Sequence, residues 1–333
     1  VVTGTSTILI AGAGQLGSRY LQGLAACTTN LRIFVQDPDS YARATAISRW
    51  EEAGGSETDH VVTAHDGLED IPRELDLAIV ATTASVRPTA TEQIADHADI
   101  QMWILEKVLA QSEIDLDRIV TAVDNPFSAW VNTWARTTPW YRQMRFHSGG
   151  GPVRFGIEGG FWGLACNSIH FLDLMAWWTN EDLISVDVSE LNKELLPSKR
   201  LGNQEITGLL RASYSGGTTG QLSSEPPVNV GTEVGSDEPS RMWIARDTML
   251  WDVTDPCSST QGMATRTDGQ RFQGRIELQS ERTASLVDNL IDTGTCGLTD
   301  LETSVSQHRV FLRGLLDHWR IVTGEDIHQV PIT

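Results

Sequence analysis

A strand, a glycine turn and a helix open the chain, and no other feature limits its fold so strongly. Thr7 to Ala11 is a short β-prone apolar run. Gly12-Ala13-Gly14-Gln15-Leu16-Gly17 follows, and then Leu16, Tyr20 and Leu24 recur on one helical face. GxGxxG between a strand and a helix fits a βαβ dinucleotide-binding unit. Gly12 allows the tight turn, Gly14 lets a pyrophosphate approach the backbone, and Gly17 lets the helix lie close on the strand. Backbone N–H groups at that helix start would hold an anion. Gln15 and Leu16, inside the turn, count with the same cofactor-binding set.

The residues downstream extend this pattern. "LRIFVQD" reads as a second strand ending at Asp37, twenty residues past Gly17. A carboxylate there accepts hydrogen bonds from the adenosine ribose and repels a 2′-phosphate, which favours NAD over NADP; the plainer reading is a turn cap before Pro38. "LDLAIVATTAS" is a third buried strand, whose end places Thr82 with the cofactor set. Arg87 follows soon after, within reach of a cofactor or an anionic substrate. "TATEQIADHA" reads as a helix and "IQMWILEKVLA" as the next strand. Strands alternating with helices predict a doubly wound parallel sheet, in which ligands bind at the carboxyl ends of the strands.

Lys107 lies at one such end. The chain has three lysines, Lys107, Lys193 and Lys199, and this one sits in an apolar run directly behind Glu106. A buried lysine costs free energy unless its charge is paired or its pKa falls, and a lowered pKa suits a general acid/base. The alternative is a strand-end lysine whose head reaches water.

Composition sets the outer bounds. The 333 residues are enough for two domains, expected at 1–125 and 126–333 with a boundary near Asn125-Pro126. No apolar run approaches the roughly 20 residues of a membrane span, and "VVTGTSTILIAGAG" lacks a signal-peptide pattern. Cys27, Cys166, Cys257 and Cys296 are scattered, so neither structural zinc nor a disulfide framework is expected, no metal is assigned, and the simplest compartment is cytoplasmic. A formal charge of −19 without a basic patch argues against nucleic-acid binding.

The second half reads as an α+β domain. Val153–Glu158 is a strand, a Gly/aromatic turn containing Trp162 follows, and a helix starts at about Asn167. On that helix Asn167, His170 and Asp173 share one face. Asn167 is either a site residue or an N-cap, and His170 either a site residue or a core histidine. "LISVDVSEL", "EITGLLRASYS", "TTGQLSSE", "SRMWIARDTMLWDV" and "RFQGRIELQ" predict an open, mostly antiparallel sheet with one face covered by helices. The other face, with Trp243 and Trp251 as candidates on it, would need a partner, hence a homodimer or homotetramer joined through this sheet. A long amphipathic helix at about 299–323 is expected to pack back on the first domain. Arg136, Tyr141 and Arg145 in "NTWARTTPWYRQM" could face a sugar or a phosphate, or be surface residues with buried stems.

On "IAGAGQLGSRY", "ILEKVLA" and "WGLACNSIHFLDLMAWW", the chain resembles the glucose–fructose oxidoreductase / inositol dehydrogenase (Gfo/Idh/MocA) family. The resemblance covers most of the length, and "VNTWARTTPWYRQMR" with the final "PIT" leans towards a branch linked to bacterial surface-sugar biosynthesis. It implies a Rossmann domain followed by an α+β domain with an open, mostly antiparallel sheet. It implies an NAD(P)-dependent oxidoreductase transferring hydride between nicotinamide and a carbohydrate hydroxyl or carbonyl, on a sugar nucleotide or sugar derivative. Lys107 and His170 inherit the catalytic roles, with Glu106 and Lys107 placed by the cofactor; Arg136, Tyr141, Trp162, Asn167 and Asp173 are the substrate-side candidates, Asp173 with the alternative of only orienting His170 or closing a helix contact. Val108 departs from the family's proline, and Cys166 stands where many members have an aspartate. Two rivals share the scaffold: a non-catalytic NAD- or sugar-binding regulator, and a glycosidase that recycles its NAD.

Overall fold

A computed structural model describes residues 4–227 and 238–333. The chain divides into two compact units. The first comprises Val1–Ala110, Ile114–Asn132 and Glu277–Thr303; the second comprises Gln111–Glu113, Thr133–Ile276 and Ser304–Thr333. The main crossing thus lies at 132/133 rather than 125/126, and 277–303 returns to the first unit.

The first half carries strands β1 (Ser6–Ala11), β2 (Leu31–Gln36), β3 (Val61–His65), β4 (Glu74–Val80), β5 (Asp99–Leu105) and β6 (Ala129–Val131). They alternate with helices α1 (Gln15–Leu24), α2 (Ser40–Glu52), α3 (Arg87–His97) and α4 (Glu113–Val123). The second half carries α5 (Pro139–Phe146), β7 (Arg154–Gly159), α6 (Leu164–Thr179), β8 (Leu183–Leu191), β9 (Leu196–Pro197), β10 (Gln204–Glu205), β11 (Gly208–Tyr214) and β12 (Thr219–Ser224). After these come β13 (Arg241–Arg246), β14 (Met249–Thr254), β15 (Gly262–Arg266), β16 (Arg271–Gly274), α7 (Gln279–Thr293), β17 (Thr299–Asp300) and α8 (Leu301–Thr323).

In the first unit seven strands run in the order β17-β6-β5-β4-β1-β2-β3, parallel except where β17 meets β6. This is the expected doubly wound sheet. Its central strands are apolar throughout because helices cover both faces: Ile8, Leu9, Ile10, Leu77, Ala78, Ile79 and Val80 are fully buried. Tyr20, Leu21 and Leu24 of α1 and Val287 and Leu290 of α7 belong to the same core.

The second unit holds eight strands in the order β16-β15-β14-β13-β7-β12-β11-β8. They are antiparallel except for the parallel pair β7–β12. Alternation sends Phe155, Ile157, Leu222, Met242, Ile244, Trp251 and Val253 inward. Helix α6 is apolar almost all round and nearly wholly buried, as a helix inside a core must be; Tyr214 donates to the Leu172 carbonyl at 3.0 Å.

Two expectations change here. The opposite sheet face is polar. Arg241 pairs with Asp252 at 2.7 Å and with Glu158 at 3.5 Å, and Trp243 donates to Glu158 at 2.8 Å. It is therefore not the bare apolar patch from which a partner was inferred. Trp251 belongs to the covered face instead, stacked on Phe272 and donating to Ser148. Helix α8 belongs through Thr303 to the first unit and from Ser304 onward to the second.

Candidate active site

The glycine turn is built as its spacing requires. β1 runs into Gly12, whose φ of 91° lies in the left-handed region and whose N–H donates to the Gln36 carbonyl at 2.8 Å. A Cβ on Gly17 would fall 1.7 Å from the Gly12 oxygen, so only glycine lets α1 start this close to the turn. Around Gly14 the reverse holds: a Cβ there would meet nothing within 4 Å, which leaves the approach to its backbone open. Helix α1, which begins at Gln15 and Leu16, has no side-chain N-cap, so its first-turn N–H groups are available to an anion.

Asp37 stands at the end of β2. One carboxylate oxygen accepts from the Ala13 N–H at 2.7 Å and the other from the Asp39 N–H at 2.8 Å. The group is half-exposed and retains further lone pairs. Thr82, just past β4, presses on Gly12, and its buried hydroxyl has no hydrogen-bond partner. An open glycine backbone, an uncapped helix start, a fixed half-exposed carboxylate and an orphaned hydroxyl together fit a dinucleotide's pyrophosphate and ribose.

Lys107 follows β5. From Trp103 to Ser112 every residue is buried except Lys107, which is half-exposed. The Lys107–Val108 peptide bond is cis, with valine in place of the family's proline. Glu106, expected beside the cofactor, points into the interior instead and is 3% exposed. Its Oε1 accepts from the Tyr20 hydroxyl at 2.5 Å and from the Asn132 amide at 2.6 Å; Asn132 also donates to Gln279, which accepts from Arg282 at 2.7 Å. Burial, reinforced by the Glu106 charge, pushes the Tyr20 hydroxyl well above the usual tyrosine pKa, so it stays a donor. Arg87 does not face a ligand either: it is buried and donates to the carbonyl groups of Thr82, Val108 and Leu109.

In the second unit, α6 starts at Leu164 with Gly163 as its N-cap, so Asn167 is not the cap. Asn167 is half-buried and donates to the Trp162 carbonyl at 2.9 Å. His170 is buried, and the Trp134 indole N–H points at its Nε2 at 3.1 Å. An indole N–H can only donate, so Nε2 accepts and the neutral ring carries its proton on Nδ1. Asp173 is fully buried, 3.8 Å from the Arg136 guanidinium. Two aromatic candidates leave the substrate set. Trp162 is fully buried and donates to the Ser223 carbonyl; Tyr141 is fully buried and donates to the Pro256 carbonyl. Arg145 donates to the Trp178 carbonyl and lies over the Trp177 ring. Among the described residues no cluster suited to a metal occurs, and no helix is long and apolar enough to cross a membrane.

Sequence alone missed Tyr20, Asn132, Gln279, Trp134 and the inward turn of Arg87. Tyr20 gave some signal, three residues beyond Gly17 on the helix's apolar face; the others gave none.

No protein-family model matches the chain, and no curated protein matches it. Solved structures do. A UDP-N-acetylglucosamine 3-dehydrogenase from Acidithiobacillus ferrooxidans is similar with a TM-score of 0.68 at 14% identity, over 94% of this chain and 97% of that one. A scyllo-inositol dehydrogenase from Lactobacillus casei, solved with NAD(H) and scyllo-inositol, gives 0.63 at 13% identity over 95% and 97%. A 3-ketoreductase from Actinomadura kijaniata, solved with TDP-benzene and NADP, gives 0.65 at 11% over 92% and 96%. The chain has the two-domain fold of the Gfo/Idh/MocA-type oxidoreductases.

Proposed function

We propose that the protein is an NAD-dependent oxidoreductase that moves hydride between nicotinamide and a carbinol carbon of a carbohydrate, a sugar nucleotide or related sugar derivative. One observation carries this reading: the half-exposed Lys107 stands at the same carboxyl edge of the parallel sheet as the glycine turn and Asp37. Ligands of such sheets bind at that edge. The similar structures that act on inositol, on UDP-N-acetylglucosamine and as a 3-ketoreductase support the substrate class.

When bound, NAD supplies the hydride acceptor and donor. Backbone amides from Gly14 to Gly17 would hold the pyrophosphate. Asp37 accepts from the ribose hydroxyls, and because two backbone N–H groups fix its carboxylate, it cannot swing aside for a 2′-phosphate. Lys107 takes the proton of the reacting hydroxyl in oxidation and returns it in reduction. His170, with Nε2 accepting from Trp134, contributes as an Nδ1 donor rather than as a base. Asn167 and Arg136 are the remaining substrate-facing candidates, with Asp173 holding Arg136. A homo-oligomer joined through the eight-stranded sheet would use a polar, ion-paired contact; light scattering at a mass of 36.6 kDa would exclude it.

The test begins with a mass spectrum of the purified protein for retained dinucleotide. Incubation with NAD⁺ and a panel of UDP-sugars, TDP-sugars and inositols follows, with NADH read by fluorescence. NADH that accumulates together with a ketosugar supports the reading. Failure to bind NAD(H) at millimolar concentration would overturn it. Dinucleotide binding without turnover on any member points to the regulatory rival, and turnover without net NADH to the recycling one.

A further inference from the structure

Lys107 is flanked by residues anchored inward on both sides: buried Glu106 precedes it, and Val108 and Leu109, whose carbonyl groups buried Arg87 holds, follow it. Glu106 is held by Tyr20 and Asn132. Arg87, the first residue of α3 and 1% exposed, has no part in the chemistry above. One of its Nη atoms donates to the carbonyl groups of Val108 and Leu109, the latter at 3.1 Å, and the other donates to the Thr82 carbonyl. Val108 and Leu109 are the two residues after the lysine. Thr82 is the residue that presses on Gly12, where a Cβ would come within 3.0 Å of its backbone nitrogen. Burying a guanidinium costs free energy, and surface contacts would not require it. What the buried group does here is carry the tie between neighbouring strands β4 and β5 past their last paired residues, Val80 and Leu105, where the backbone ladder has ended. Its rigid planar fork suits that task, because donors on the two arms are fixed relative to one another; an ammonium has no such fork.

We propose that Arg87 is a positioning residue: its guanidinium ties the Lys107 turn to the Thr82 strand end, so that the amine and the glycine turn keep one spacing. This rests on Lys107 as the proton carrier. Arg87 touches neither substrate nor cofactor in this scheme and acts only through the two backbone segments it joins.

The sequence offers a direct probe, because Lys107 is one of three lysines and the other two, Lys193 and Lys199, are exposed. Protein labelled isotopically at the lysine ε-carbon gives three signals by NMR, and Lys107→Arg assigns one by removing it. In Arg87→Met the Lys107 signal should move towards the positions of the exposed Lys193 and Lys199 signals, which stay in place. The shift that NADH induces in the Lys107 signal should shrink in the same variant. Arg87→Gln keeps two N–H donors and should fall between native and methionine; it carries the measurement if Arg87→Met does not fold. Once a substrate is in hand, Arg87→Met should lower kcat by roughly 10²-fold, the scale of an ångström-level misplacement, with a smaller change in KM. A folded variant whose Lys107 signal and NADH response match the native protein would overturn the proposal. This readout needs no substrate. An active dehydrogenase with an unresponsive Lys107 removes the positioning role alone. A responsive Lys107 in a protein that oxidises no sugar supports the positioning role while the catalytic reading falls.

Discussion

Lys107 of the first unit and His170 of the second are the two candidate proton carriers, and their surroundings differ. The lysine is the single half-exposed residue in a buried run, with its neighbours on both sides anchored inward. The histidine is 5% exposed, and its Nε2 lone pair is already taken by the Trp134 N–H. A group that exchanges a proton during catalysis needs a lone pair within reach of the substrate. Residue type made the two look equivalent; access separates them. The largest expected effect follows. Lys107→Met should slow single-turnover hydride transfer by roughly 10²–10⁴-fold while NADH affinity stays nearly native. His170→Ala should cost much less. Equal losses would erase the contrast, and a loss within about twofold in Lys107→Met would return that lysine to a solvent-reaching strand end. Trp134→Phe frees Nε2. If rate then depends more steeply on His170, the indole is what keeps the ring out of the proton chemistry.

The same contrast has a stability side. Glu106 accepts from two fully or nearly buried partners, Tyr20 and Asn132, whereas Trp134 donates one bond to His170. Glu106→Leu leaves the Tyr20 hydroxyl and the Asn132 amide without their acceptor in the interior. It should cost about 1–3 kcal/mol, the penalty for stranded buried donors. Trp134→Phe should cost about 0.5–1.5 kcal/mol, one ordinary hydrogen bond. Urea melts of both variants check the ordering; a Glu106→Leu no less stable than Trp134→Phe would show the network to be energetically idle.

These two surroundings also mark what a sequence can show. The glycine turn, Asp37 and the position of Lys107 at a strand end are local in the chain: a few adjacent residues fix each, and the structure agrees with the sequence there. The Glu106 network is not local. Its bonds span 86 residues to Tyr20 and 26 to Asn132, and Asn132 reaches Gln279 across 147. No periodicity reports such a meeting. Arg87, Trp162 and Tyr141 were misassigned for one physical reason. Large side chains with a polar end suit ligands and suit buried carbonyl groups equally, and only the fold shows which partner lies within 3 Å. The sheet of the second unit gave the opposite error. Alternation located its strands, but the charges on its open face came from pairs such as Arg241 with Asp252 that lie on different strands.

Cofactor choice is a first-unit property and should not respond to changes in the second. Asp37→Ala removes the fixed carboxylate, so the preference for NADH over NADPH should narrow by roughly tenfold, about 1.4 kcal/mol. His170→Ala should leave it unchanged. Calorimetric titration showing equal affinities in the native protein would remove the selectivity assigned to Asp37.

The smallest expected effect compares the units through acid stability, because each contains a buried histidine whose pKa burial lowers. Burial lowers the pKa of His60 in the first unit and of His318 in the second. The Leu31 N–H donates to Nδ1 of His60, which also favours the neutral ring. In the unfolded chain both titrate near the ordinary value of about 6.5. Below that pH the unfolded state takes up protons that the native state refuses, so stability falls as pH falls, until the lowered folded pKa is reached. Above it both states are neutral and neither histidine contributes a slope. Each can add at most about 1.4 kcal/mol per pH unit. His60→Gln and His318→Gln should each flatten the stability curve on the acid side of neutrality and leave it unchanged on the alkaline side. If the units unfold separately, each substitution should flatten only its own transition. If one transition is seen and both substitutions act on it equally, the two units unfold together despite their different surroundings. An acid slope that survives the double substitution would mean that groups other than these histidines set it.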